Sequence, residues 1–177
     1  ATFALEVVIP RDQVAFSNMP EAANRVVGDT RHVRFQSTPK MSSYLLHLSV
    51  GDLERVSRTI EGVEVGIVTR RGAGAMATFA LDATAEILPW FNDYFGTRYP
   101  LPKLDMIAAP GQSSFFGAME NWGAILYFEP LLLVDPARSS QSERQAVFEV
   151  IAHEVAHQWF GNLVTMHWWD DLWLNEG

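Results

Sequence analysis

The chain has 177 residues, 48% of them apolar, a net charge of −8 at neutral pH and no cysteine. That length suits one domain, or a small module joined to a larger one. The acidic balance, with Arg70-Arg71 the sole adjacent basic pair, argues against binding a phosphate backbone. Without thiols, disulfides are excluded and any metal must be held by His, Asp and Glu.

No apolar run reaches the roughly 18 residues of a membrane span. The opening ATFALEVVIP lacks a basic leader region and reads as a strand. The compartment is open, with the lack of cysteines leaning toward the cytoplasm.

Phe3, Leu5, Val7 and Ile9 alternate with Thr2, Ala4, Glu6 and Val8, the period of a strand with one face more deeply buried. Pro10, Asn18-Met19-Pro20, Gly28-Asp29 and Pro39 mark turns. Val33 and Phe35 alternate again, and Tyr44 to Val50 is a further apolar run. Residues 1–57 are therefore expected to be a β-rich module, one that starts as if earlier strands preceded it. A boundary is expected within 52–62.

Val63, Val65 and Ile67 predict a strand. Ala77, Leu81, Ala85 (or Thr84), Leu88, Phe91 and Phe95 recur at helical steps, with Gly96 placed to end the helix and Pro89 expected to kink it. Leu104–Ala109 and Gly123–Phe128 read as buried strands. Ser140-Gln-Ser-Glu143 and Ser142-Glu-Arg-Gln145 both fit a capping box ahead of the stripe Val147, Ile151, Val155, and Gly161-Asn162 closes that helix. The fold class is α+β.

His153-Glu154-Val155-Ala156-His157 lies in this last helix. Residues four apart project from one face, so two imidazoles can meet on one zinc ion. Glu154 is rotated by about 100° and is placed to act as general base on a water at the open coordination position. A third ligand is needed. Leu163 stands six residues after His157, which excludes the three-histidine pattern. Glu176 follows nineteen residues after His157, a spacing like that of thermolysin's two-His, one-Glu site.

Three segments resemble the zinc aminopeptidases of the aminopeptidase N family, which are gluzincins: His153-Glu-Val-Ala-His157-Gln158-Trp159, Gly117-Ala118-Met119-Glu120-Asn121 and Trp173-Leu-Asn-Glu176-Gly177. The similarity extends through Tyr99-Pro-Leu-Pro-Lys103 and Gly161-Asn162-Leu163-Val164-Thr165 and covers roughly the last 120 residues closely. It implies the back half of an N-terminal β domain over 1–57. Residues 58–177 would then be the first part of a thermolysin-like catalytic domain.

The resemblance also implies hydrolysis of the N-terminal peptide bond of peptides. One Zn²⁺ would be held by His153, His157 and Glu176, with Glu154 as the base. Gly117, Ala118, Met119, Glu120 and Asn121 would bind substrate, and Glu120 would receive the free α-ammonium by a charge-assisted hydrogen bond. The family's oxyanion-stabilising tyrosine follows the third ligand, whereas Tyr44, Tyr94, Tyr99 and Tyr127 all precede the zinc motif. The 177 residues are accordingly expected to be an inactive internal fragment. Two alternatives stand: a non-catalytic unit that binds zinc or peptide N termini, and an epoxide hydrolase of the same family, against which Ala118 counts.

Other polar residues have plainer readings. His32 and His47 read as strand residues, and His167 as structural. Glu149 is expected in a surface ion pair. Asp170 and Asp171 are expected to cap the short helix that presents Glu176. Asn175 is a candidate support for a ligand. Four of the six Trp lie within 159–173, where exposure would promote self-association.

Overall fold

The computed structural model describes residues 1–113 and 116–177. Its first strands are β1 (Glu6–Pro10), β2 (Val14–Ser17), β3 (Glu21–Val27), β4 (Thr30–Phe35) and β5 (Leu48–Gly51). They form a three-stranded antiparallel sheet, in the order β1-β4-β3, and an antiparallel pair of β2 with β5. Ile9, Ala15, Val33 and Phe35 make a small core of their own.

The larger unit contains β6 (Leu53–Ile60), β7 (Val63–Arg70), helix α1 (Thr78–Tyr94), β8 (Lys103–Ala109), β9 (Ala118–Met119), β10 (Ala124–Phe128), helix α2 (Gln141–Ala156) and the short helix α3 (Trp173–Glu176). Its sheet has the order β6-β7-β8-β10-β9, with β7, β8 and β10 parallel and both edge strands antiparallel. The expected boundary after residue 57 falls inside β6, which pairs with β7 from Leu53↔Arg70 to Ile60↔Val63. By strand pairing the second sheet begins at Leu53. Glu61 (φ 49°) and Gly62 (φ 86°) turn that hairpin, because the mirror-image two-residue turns need positive φ.

The parallel strands β7 and β8 are buried on both faces, as the continuous apolar runs of such strands require. One face carries Val65, Ile67, Leu104, Met106, Ile125 and Tyr127 and shares a core with Leu81 and Leu88 of α1 and Val147, Ile151 and Val155 of α2. The other face, with Val68, Ile107 and Ala124, is covered partly by Phe16 of β2. Pro89 does not end α1, which runs unbroken past it to Tyr94. Buried Ile87 and Leu88 on its N-terminal side tie the helix to the core.

Two polar devices join the parts. Buried Asn18 donates to the carbonyls of Leu45 (2.8 Å) and Trp122 (2.9 Å) and accepts from the His47 amide (2.8 Å). Under the sheet, Asp105 pairs with Arg55 (2.7 Å) and Lys103 (2.9 Å), and Lys103 Nζ also donates to the Gly123 carbonyl (2.7 Å). A buried carboxylate held by two cations satisfies the rule that interior charges come paired.

Of the C-terminal tryptophans, Trp159 departs from the expectation of exposure. It is buried, stacks on Phe95 and donates to the Thr97 carbonyl at 2.7 Å. Trp168, Trp169 and Trp173 are exposed. No helix among the described residues is long and apolar enough to cross a membrane.

Candidate metal and substrate site

Helix α2 begins with a full capping box: the Ser140 hydroxyl accepts from the Glu143 amide, and the Glu143 carboxylate accepts from the Ser140 amide. The Ser140 register is therefore the one used, of the two that fit. Val147, Ile151 and Val155 face the sheet, which turns His153 and Glu154 toward the end of the sheet occupied by β9.

His157 closes the helix. Its Nδ1 donates to the Phe160 carbonyl at 3.0 Å, which leaves Nε2 as a lone-pair donor. Gly161 (φ 120°) makes room for this, since a Cβ there would lie 3.3 Å from His157 Nδ1. What reads in the sequence as a helix stop also sets the pose of the His157 ring.

The Nε2 atoms of His153 and His157 are 3.0 Å apart. Glu176 Oε2, brought in by α3, is 3.5 Å from the first and 3.6 Å from the second. Three ligands of a tetrahedral zinc with bonds of 2.0–2.1 Å lie about 3.3–3.4 Å from one another. The observed triangle is close to one face of that tetrahedron. The donor set, two imidazoles and a carboxylate, suits zinc as well.

Glu120, Glu154 and His157 form a second group whose donor atoms lie within 4.8 Å. Both groups open on one cavity of about 580 Å³, lined also by Gly117, Ala118, Met119 and Glu149. Glu154 is buried, and one of its carboxylate oxygens has no partner. Burial, and then the charges of Glu120 and Glu176, push its pKa up to about 8. Burial and the charge of His157 lower the pKa of His153. Glu120 and Glu176 thus repel a negative charge on Glu154, and a cation in the cavity would relieve that.

Gly117 to Asn121 form the sheet edge and the turn after it. β9 pairs with β10 through Met119↔Leu126 and Ala118↔Tyr127, and among the described residues no strand pairs with its outer edge. Gly117 sits where a Cβ would strike Leu131 at 2.5 Å. The Glu120 carbonyl accepts from Gln158 Nε2 (3.1 Å) and Asn162 Nδ2 (2.8 Å), which fixes this turn to the end of α2. In the sequence, Gln158 belongs to the histidine motif and Asn162 to the helix stop, and neither position announces a contact with Glu120. Their signal in the sequence is an amide side chain directly after the second histidine and another after the closing Gly; both are buried.

Other expectations resolve differently. Neither Asp170 nor Asp171 makes a cap hydrogen bond; α3 starts directly after a 3₁₀ turn, with Leu172 at its cap position. Glu149 lines the cavity and accepts from Gln145 (2.8 Å) rather than standing in an ion pair. Asn175 has a buried amide nitrogen without a hydrogen bond. Tyr44, far away in sequence, reaches the site. Burial, with the charge of Glu120 next, pushes its pKa up to about 12.

Residues 79–177 match the Peptidase family M1 domain and residues 1–45 the Peptidase M1 N-terminal domain. The chain is 47% identical over 178 residues to aminopeptidase N of Acetobacter pasteurianus, covering all of this chain and 50% of that protein. It is 47% identical over 176 residues to probable aminopeptidase 2 of Sulfurisphaera tokodaii, covering 99% of this chain and 22% of that protein. It is 45% identical over 180 residues to the puromycin-sensitive aminopeptidase of Caenorhabditis elegans, covering all of this chain and 19% of that protein. The chain belongs to peptidase family M1. It spans half the length of the first of these relatives and about a fifth of the other two.

Proposed function

We propose that these residues form the zinc-holding part of an aminopeptidase that cleaves the N-terminal peptide bond of peptides. The observation that carries this reading is the triangle of His153, His157 and Glu176, with the Glu120 carboxylate in the same cavity. Residues ahead of β6 would be the back part of an N-terminal β domain, and the rest part of a thermolysin-like catalytic domain.

His153 Nε2, His157 Nε2 and Glu176 Oε2 would hold one Zn²⁺, which when bound supplies a polarised carbonyl and an acidified water. Glu154 would be the base of the reaction, accepting a proton from the attacking water and returning it to the leaving amine. In the metal-free chain, burial beside Glu120 and Glu176 raises its proton affinity, and a cation in the cavity would lower it again toward the ionised form a base needs. Glu120 binds the substrate ammonium and so sets its distance from the reacting carbonyl. The rim of β9 offers backbone groups for an extended peptide to pair with.

No tyrosine lines the cavity among the described residues, so an oxyanion donor of that kind is not supplied from within it. These 177 residues alone would then bind zinc and peptide N termini but turn over slowly, since one such donor is worth about 10²–10³ in rate. The test is release of a chromophore from amino-acid anilides, with and without a chelator. Turnover that no chelator suppresses contradicts the zinc reading. Robust chelator-sensitive turnover contradicts the slow-turnover clause alone. The exposed Trp168, Trp169 and Trp173 support self-association of these residues, which sedimentation would detect.

A further inference from the structure

Tyr44 lies in the 3₁₀ turn Ser43–Leu45 of the first module, more than seventy residues before the nearest residue of the proposed site. Three contacts fix it there. Its carbonyl accepts from Asn121 Nδ2 at 3.4 Å, directly beside Glu120. Its ring packs on Trp169, just ahead of α3, with centroids 5.2 Å apart. Its hydroxyl is buried, faces the Glu120 carboxylate and the Asn175 amide, and closes no hydrogen bond of regular geometry.

Asn175 is in the complementary state. It precedes the proposed ligand Glu176, its amide nitrogen is buried, and a Cβ placed on Gly161, the glycine that makes room for His157, would lie 3.4 Å from that nitrogen. The Tyr44 phenol and the Asn175 amide are both buried and adjacent, with Glu120 as the phenol's other neighbour, so each is the other's available partner. The amide then donates to the phenol oxygen, and the phenol donates to Glu120.

We propose that Tyr44 is a positioning residue for this site: through Asn175 it steadies the helix that carries Glu176, and directly it orients the carboxylate of Glu120. The first module thereby takes part in the site without touching the ion. This rests on the zinc and ammonium roles proposed above.

The test is zinc affinity, by competition with a chromophoric chelator, for wild type, Tyr44→Phe, Asn175→Ala and the double variant. Phenylalanine keeps the ring on Trp169, and circular dichroism checks the fold. Each single substitution is expected to weaken zinc several-fold, up to about the 10-fold at the low end for direct partners of metal ligands. The double variant should be no weaker than the weaker single one, since both remove one link. Leucine amide, whose ammonium Glu120 would hold, should bind zinc-loaded Tyr44→Phe several-fold more weakly than wild type.

Unchanged zinc affinity in Tyr44→Phe, or losses that add in the double variant, overturns the link to Glu176. Unchanged leucine amide binding overturns the link to Glu120. A wild-type chain that takes up no zinc overturns the reading of the site itself, and this inference with it.

Discussion

The Nε2 atoms of His153 and His157 stand 3.0 Å apart across one helical turn, with the two rings at 88° to each other. With the Nδ1 of His157 committed to the Phe160 carbonyl, its Nε2 presents a lone pair to the Nε2 of His153. Two imidazoles in that pose need a proton or a cation between them. Zinc at 100 times its dissociation constant should therefore stabilise the chain by about 2.7 kcal/mol. Glu176→Gln should weaken zinc by more than the 10–100-fold typical of outer partners. Thermal unfolding with and without zinc measures the first effect, and calorimetric titration the second.

Glu154 makes the metal-free chain sensitive to pH. Its folded pKa of about 8 lies above the ordinary 4.5, so the folded state holds the proton more tightly than the unfolded one. Stability is then greatest below about 4.5 and falls as pH rises through 8, by a total on the order of 4 kcal/mol. Glu154→Gln should remove that slope in denaturant titrations with a chelator present. In an assembled enzyme it should cost about 10²–10⁴ in hydrolysis with zinc still bound.

His47 contributes with the opposite sign. Burial, and then the charge of Lys103, lowers its folded pKa to about 4 from 6.5. The unfolded chain takes up the proton first, so this contribution is intact above 6.5 and is lost as pH falls toward 4. The loss is about 2 kcal/mol, allowing for the partial exposure of the ring. His47→Gln should flatten the acid side of the profile, read in the Glu154→Gln background so that the two overlapping windows separate.

Glu120 discriminates by charge. Removing its negative charge with Glu120→Gln should cost zinc-loaded protein about 10–100-fold in affinity for peptides with a free amino terminus, and little for acetylated ones. Equal losses for both would contradict the anchoring role. Asn162→Ala removes one of the two side-chain donors to the Glu120 carbonyl and should destabilise the chain by about 1 kcal/mol, which chemical denaturation would show.

The helices and central strands were legible because their signals are local. Ser140 and Glu143 are three apart, Val147, Ile151 and Val155 repeat every four residues, and β7 is an apolar run. The grouping of His153, His157 and Glu176 was foreseeable from spacing and resemblance. The pairing of β6 was less so: the strand carries half-buried and exposed residues over most of its length and leaves no clear periodicity, yet it is an edge strand of the second sheet. The contacts of Gln158, Asn162 and Tyr44 escaped notice because they are long-range. Gln158 and Asn162 meet the Glu120 carbonyl across about forty residues, and Tyr44 meets α3 across more than a hundred. The exposed Trp168 and Trp173 and the buried Trp159 likewise have the same residue type and different partners.

The most direct test is zinc stoichiometry by calorimetric titration of the wild-type chain beside His157→Ala. One ion per wild-type chain, with uptake lost in the variant, is the expected result. Undiminished uptake by His157→Ala, or none by wild type, would contradict a zinc site built from His153, His157 and Glu176.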